Sequence, residues 1–206
     1  MPRRPIRRRP RRPIRRPLVR RGIRGIPPQD STRGRPVPPA LVAANQMFES
    51  GQYEKAAKAY LELAERGIAQ NIHRAPNLFF QAARCYVILG SIDLAMELIR
   101  KTLDYFAKEE RWADLYRGIR RSVDFMKENG YNSEAQVIES WGNERIPPSV
   151  LDSLEKTAKQ RQLQQKNVTL PTHCPSCGGT LNPKEVEWVD EKSALCDFCG
   201  SVVRGG

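Results

Sequence analysis

Four of the five cysteines fall in two C-x-x-C units, Cys174-Pro-Ser-Cys177 and Cys196-Asp-Phe-Cys199, with eighteen residues between them. No other feature narrows so sharply what the C-terminal end of the chain can fold into. Tetrahedral zinc takes four soft ligands from two tight turns, and each C-x-x-C supplies two thiolates from one turn. Gly178 and Gly200 follow the second cysteine of each pair, where the chain must take a positive φ for backbone amides to face the sulfurs. The spacing predicts one structural Zn2+ held by Cys174, Cys177, Cys196 and Cys199. With cysteine at all four positions no coordination site stays open for water, so the site is closed and structural. A redox dithiol explains two such pairs less well than one shared ion.

Between the pairs, Val186 and Trp188 sit in an alternation suited to a strand, and Leu195, Val202 and Val203 supply a small core. So short a unit with so few apolar residues needs a crosslink, which makes metal binding part of its folding. Residues 172–206 resemble the zinc ribbon, or rubredoxin-like, class. That resemblance implies a small β module and leaves an iron electron carrier as an alternative. His173, next to the first ligand, is read as a bystander that could at most tune it through a hydrogen bond. The module carries Lys184, Lys192 and Arg204 against Glu185, Glu187, Asp190, Glu191 and Asp197. Its net negative charge makes it a poor grip for phosphates.

The opposite end is cationic. Residues 1–39 hold 14 arginines and 10 prolines with Asp30 as the sole acid, whereas the rest of the chain is close to neutral. The hexamer RRPIRR occurs at Arg3–Arg8 and again at Arg11–Arg16, followed by RRPLVRR at Arg15–Arg21. Like charges at this density and few apolar groups predict a disordered, polyproline-like segment over residues 1–37. Arg3, Arg4, Arg7, Arg8, Arg9, Arg11, Arg12, Arg15, Arg16, Arg20, Arg21 and Arg24 make it a polyanion-binding element, because each guanidinium offers a planar fork to a phosphate. Nucleic acid, the ribosome and an anionic membrane surface all satisfy that chemistry. Lacking aromatic residues, the segment has no base-stacking platform, so any nucleic-acid binding is expected to be indifferent to sequence. The same composition is similar to that of proline- and arginine-rich antimicrobial peptides.

From Pro39 onward the composition turns to helix formers with apolar residues at helical spacing. The pattern predicts helices ending at Gly51, from Tyr53 to Gly67, from Pro76 to Gly90, from Ile92 to about Lys108, from Trp112 to Asn129, and a shorter one after Gly130-Tyr131-Asn132. A last helix, Pro148 to about Gln165, begins apolar and becomes polar. Gly51, Gly90 and Gly130 recur at intervals of 39 and 40 residues, which indicates three stacked helical hairpins.

Gly51, Tyr53, Ala56 and Tyr60, repeated as Gly90, Ile92, Ala95 and Ile99, resemble the tetratricopeptide pattern of turn glycine, aromatic or apolar residue, small residue and large residue. Ala83 and Tyr86 match the first-helix small and aromatic positions, while Gly130 and Ala135 keep part of the pattern and Glu139 departs from it. The resemblance covers residues 38–145, with 146–171 as capping helix and linker before the ribbon at 172–206. It implies a mainly α fold: an α-solenoid of three hairpins with a small β module attached. It also implies a partner-binding groove at Asn45, Phe48, Asn77, Phe80, Arg84, Arg117, Arg120, Asp124 and Lys127. The family's clamp of lysines and asparagines for a terminal carboxylate is absent, since Phe80 and Asp124 replace it.

No phosphate-cradling loop or nucleophile motif stands out, and Cys85 falls inside a helical pattern where a buried, inert thiol is expected. The chain therefore reads as a non-enzymatic adaptor with protein partners of unknown identity. A sequence-indifferent nucleic-acid- or ribosome-associated protein is the competing class. No apolar run approaches the ~20 residues of a membrane span, and paired cysteines suited to metal agree with a cytoplasmic setting.

Overall fold

The computed structural model describes residues 37–164, 168–183 and 186–206. The arginines assigned to polyanion binding lie outside the described residues. Among these residues are seven helices: α1 (Pro39–Glu49), α2 (Tyr53–Ala69), α3 (Asn77–Ile88), α4 (Ile92–Lys108), α5 (Trp112–Glu128), α6 (Asn132–Asn143) and α7 (Pro148–Gln164). Three short strands follow: β1 (Glu187–Trp188), β2 (Ser193–Leu195) and β3 (Val202–Arg204). None of the described helices is long and apolar enough to cross a membrane.

The expected breaks fall at the glycines for a specific reason. Gly51, Gly90 and Gly130 take φ of 76°, 75° and 88°. That left-handed turn lets the next amide reach back five residues, from Gln52 to Met47 (2.8 Å), Ser91 to Tyr86 (2.9 Å) and Tyr131 to Met126 (2.9 Å). Each such bond satisfies a carbonyl that the helix end would leave bare. The same closure recurs from Ile72 to Gly67 and from Arg111 to Phe106, but there Asn71 and Glu110 take the positive φ. Helix α2 therefore outruns its expected end at Gly67. That glycine instead allows a close pass of the chain, because a Cβ on it would stand 2.5 Å from the Cβ of Ala75.

Each helix packs on the next in the chain from α1 through α6, and α3 also meets α5 as α4 meets α6. The small residues anticipated at the hairpin crossings, Ala56 and Ala95, are fully buried and let the backbones approach. Helix α3 sits centrally. Leu78, Phe79, Ala82 and Cys85 face one core with α1 and α2, while Phe80, Ala83 and Val87 face a second core with α4, α5 and α6. Val150 and Leu151 of α7 pack on that second core.

The strands form an antiparallel sheet in the order β1-β2-β3, pairing Trp188 with Ala194 and Ala194 with Val203. Alternation along β3 buries Val203 and leaves Val202 exposed, so only one of the two valines joins the core as expected. Leu181, Val186, Trp188, Ala194 and Phe198 complete it. These residues belong to the same core as α1 and α2, so the C-terminal module is packed against the helices.

Candidate metal centre

Two matching turns carry the cysteines. In the first, the Cys174 amide bonds the Gly179 carbonyl and the Gly178 amide bonds the Cys174 carbonyl, both at 2.8 Å. In the second, the Cys196 amide bonds Ser201 at 2.9 Å and the Gly200 amide bonds Cys196 at 2.8 Å. Gly178 and Gly200 hold φ of 72° and 76°, the left-handed conformation expected of them. This frees the amides of Cys177 and Gly179 to donate to the Cys174 and Cys177 sulfurs. Such donors stabilise thiolate and orient it.

The turns bring the four sulfurs within 4.8 Å of one another. Cys174 Sγ lies 3.8 Å from Cys199 Sγ, and Cys177 Sγ lies 3.7 Å from Cys196 Sγ. A tetrahedral ion with metal–sulfur bonds of about 2.3 Å requires sulfur–sulfur edges of about 3.8 Å, so these residues fit a metal. The spacing is far too long for disulfides, and all five cysteines are free. Hydrogen bonds from Cys177, Cys196 and Cys199 pull the Cys174 thiol down, and the partnership with Cys174 pushes Cys177 and Cys196 up. A bound cation would favour the thiolate form of every cysteine it touches.

The centre faces the helical body, and the contact is polar where it touches the metal turns. Asn45 on α1 is buried, donates Nδ2 to the Cys177 carbonyl at 2.7 Å and accepts the Tyr60 hydroxyl on Oδ1 at 2.8 Å. Burial drives the Tyr60 phenol far above its ordinary range, so it stays a neutral donor. The Tyr60 ring lies 6.5 Å from that of Phe198, between the last two cysteines. Tyr60 thus supports the amide that holds Cys177.

Around this contact, arginines of the body meet acids of the module. Arg74, just before α3, is 2.9 Å from Glu187 and 3.7 Å from Asp197. Arg121 of α5 is 2.5 Å from Asp197, and both side chains are buried. Arg117 reaches Glu187 at 3.5 Å and also pairs with Asp114, which Arg111 holds from the other side at 2.6 Å. Burial alone would raise the Asp114 pKa, but Arg117 and Arg111 outweigh it and hold the carboxyl below its usual range. At the rim, Thr180 donates to Glu49 at 2.7 Å, and His173 turns its Nε2 to Glu49 at 3.5 Å rather than to a sulfur.

The nine groove positions do not share one open surface. Asn45 lies beneath Cys177, and Arg117 faces Glu187. Phe48 stacks edge-on with Tyr53, Asn77 is half-buried, and Phe80 packs against Phe106 in the second core. Arg84 lies over the Phe125 ring at 4.7 Å. Arg120, Asp124 and Lys127 are exposed, with Lys127 3.8 Å from Glu139. The sequence pattern marks neither Arg74, Arg121 nor Phe198, and it marks Glu187 and Asp197 only as part of the module's charge balance. The surplus of acid in the module and of arginine on α5 was the available signal, though it could not pair them.

Cys85 is fully buried on α3, and burial pushes its thiol up to about 12, where little thiolate forms near neutrality. His73 lies between Arg111 at 3.0 Å and Asp114 at 3.7 Å, with its pKa lowered by burial and by Arg111. Comparison with family models, curated proteins and solved structures finds no match to this chain.

Proposed function

We propose that this protein is a non-enzymatic adaptor: a tetratricopeptide-like solenoid of three hairpins with a capping helix, carrying a zinc ribbon and an arginine-rich segment for attachment to a polyanion. The observation that supports it most is the seating of a four-sulfur cluster of tetrahedral size on paired helices through the buried Asn45 and Arg121. A chain that holds two modules in one geometry this way presents surfaces to partners. The regular helix closures at Gly51, Gly90 and Gly130, and the packing of α3 on α5 and α4 on α6, suit a repeat array. Zinc is preferred because four thiolates in a closed site are its usual structural set, and bound there it would supply folding energy and no reaction.

Metal analysis of purified protein tests the first part, with one zinc per chain and no colour expected. Stoichiometric iron with visible absorption would replace it with an electron carrier. Pull-downs with the full chain and with a chain lacking residues 1–36, each with and without nuclease, test the second. An adaptor keeps a protein partner after both treatments, whereas a nucleic-acid- or ribosome-associated protein loses everything. Binding through the arginines should weaken with salt at a logarithmic slope of roughly −0.9 per phosphate neutralised on duplex DNA.

A further inference from the structure

What the module offers the helical body resembles a peptide ligand. It presents the carboxylates of Glu187 and Asp197, the backbone carbonyl of Cys177 and the ring of Phe198. The body answers with the guanidiniums of Arg74, Arg117 and Arg121, the amide of Asn45 and the ring of Tyr60. Charge is complementary across the contact, and two of these body residues, Asn45 and Arg121, are almost wholly buried.

Every one of the presented groups is positioned by the cysteine turns. Cys177 is itself a candidate ligand, and Asp197 and Phe198 are the two residues between Cys196 and Cys199. Glu187 lies on β1, paired with Leu195, which directly precedes Cys196. Whatever holds the four sulfurs together therefore also holds the carboxylates and the ring on the helical face. The module's own apolar residues are few, and its two-residue and three-residue strands cannot fix this geometry alone.

We propose that the C-terminal module is a metal-held cap occupying, within the same chain, a helical face that recognises carboxylates, so that loss of the metal uncovers this face for an acidic protein segment. The inference rests on the metal-ribbon adaptor reading and names the partner chemistry and the control of its site. Two carboxylates separated by a turn, with an aromatic ring beside one of them, describe the segment that could take the cap's place.

The test uses the full chain, loaded with one equivalent of Zn2+ or stripped by a chelator under reducing conditions. Hydrogen exchange should show at least tenfold faster exchange after stripping in residues 168–206 and in α1, while α5 and α6 keep their protection. A fluorescein-labelled decaglutamate peptide should bind the stripped chain at least tenfold more tightly than the loaded chain. Binding to the arginine-rich segment adds equally to both forms, so the contribution measured with a peptide of residues 1–36 is subtracted from each before the ratio is taken. Arg117→Gln and Arg121→Gln should each shrink the ratio, and retained protection in α6 shows that the variants remain folded. Undiminished protection of residues 168–206 after stripping overturns the inference, as does a peptide ratio near one. A protein partner captured equally by loaded and stripped chains also overturns it while leaving the adaptor reading intact.

Discussion

The two cores of the helical body are built from different materials. The second, around Phe106, Leu115 and Met126, closes with apolar side chains from successive helices. The first, around Tyr60, Phe79 and Cys85, is completed by the cysteine module and by buried polar partners such as Asn45, with Arg121 and Asp197 at its border. Hydrophobic packing is non-directional and falls off gradually as residues change. Buried amides and ion pairs specify one arrangement but penalise a missing partner heavily. The first core therefore tolerates the loss of a partner less well than the second.

The largest effect that would sharpen this contrast is loss of a sulfur. Cys196→Ser should abolish stoichiometric metal binding and unfold the module, because structural zinc sites contribute apparent free energies on the order of 10 kcal/mol to folding. Metal titration and near-UV dichroism of Trp188 read it; a variant that keeps both would erase the distinction between the cores. Next, Phe106→Ala in the second core should lower global stability by about 3–5 kcal/mol in urea melts. Since Phe106 is fully buried away from the sulfurs, metal stoichiometry should not change.

Removing one member of the buried pair should come third. Arg121→Gln leaves the Asp197 carboxylate buried without its 2.5 Å partner, a change that costs about 3 kcal/mol in comparable sites. Chelator-driven metal release should quicken with it, which a purely local effect on α5 would not cause. Asn45→Ala should cost about 1–3 kcal/mol, as it strands the Cys177 carbonyl and the Tyr60 hydroxyl together. The double variant with Tyr60→Phe should cost less than the sum of the two single changes, because Asn45 links both groups.

Acid should produce the smallest effect. Asp114 faces Arg111 and Arg117, with His73 close by, and its carboxyl is held below the usual range. A depressed folded pKa stabilises above the unfolded value near 3.9, and that contribution fades as pH falls through the folded value. Wild-type protein should therefore lose more stability than Asp114→Asn in urea melts as pH falls from 5 to 3.

Much of the helical body was legible before any coordinates. Glycines at Gly51, Gly90 and Gly130 announce helix ends because only a residue without a Cβ enters the left-handed region cheaply. Where Asn71 and Glu110 perform the same turn, nothing in the pattern marks it, and α2 was expected to stop two residues early. The apolar stripes identified the buried faces of α2 and α4, since helical periodicity is a local property. They said nothing of what would cover α1, because that contact joins residues more than a hundred positions apart.

The candidate metal site lies at one extreme of this scale. Its four ligands follow from spacing alone, because a C-x-x-C turn fixes two sulfurs through backbone geometry within six residues. The seat of that site lies at the other extreme. Asn45 as the holder of Cys177, Arg121 as the partner of Asp197 and Phe198 as a ring against Tyr60 all depend on where the module comes to rest. Local chemistry, written in short spacings, determined the cysteine turns, the helix breaks that glycine marks and the sulfur cluster. Which arginine met which acid was decided only by the tertiary structure, since a charge reads the same at every exposed position until packing removes water around one chosen pair.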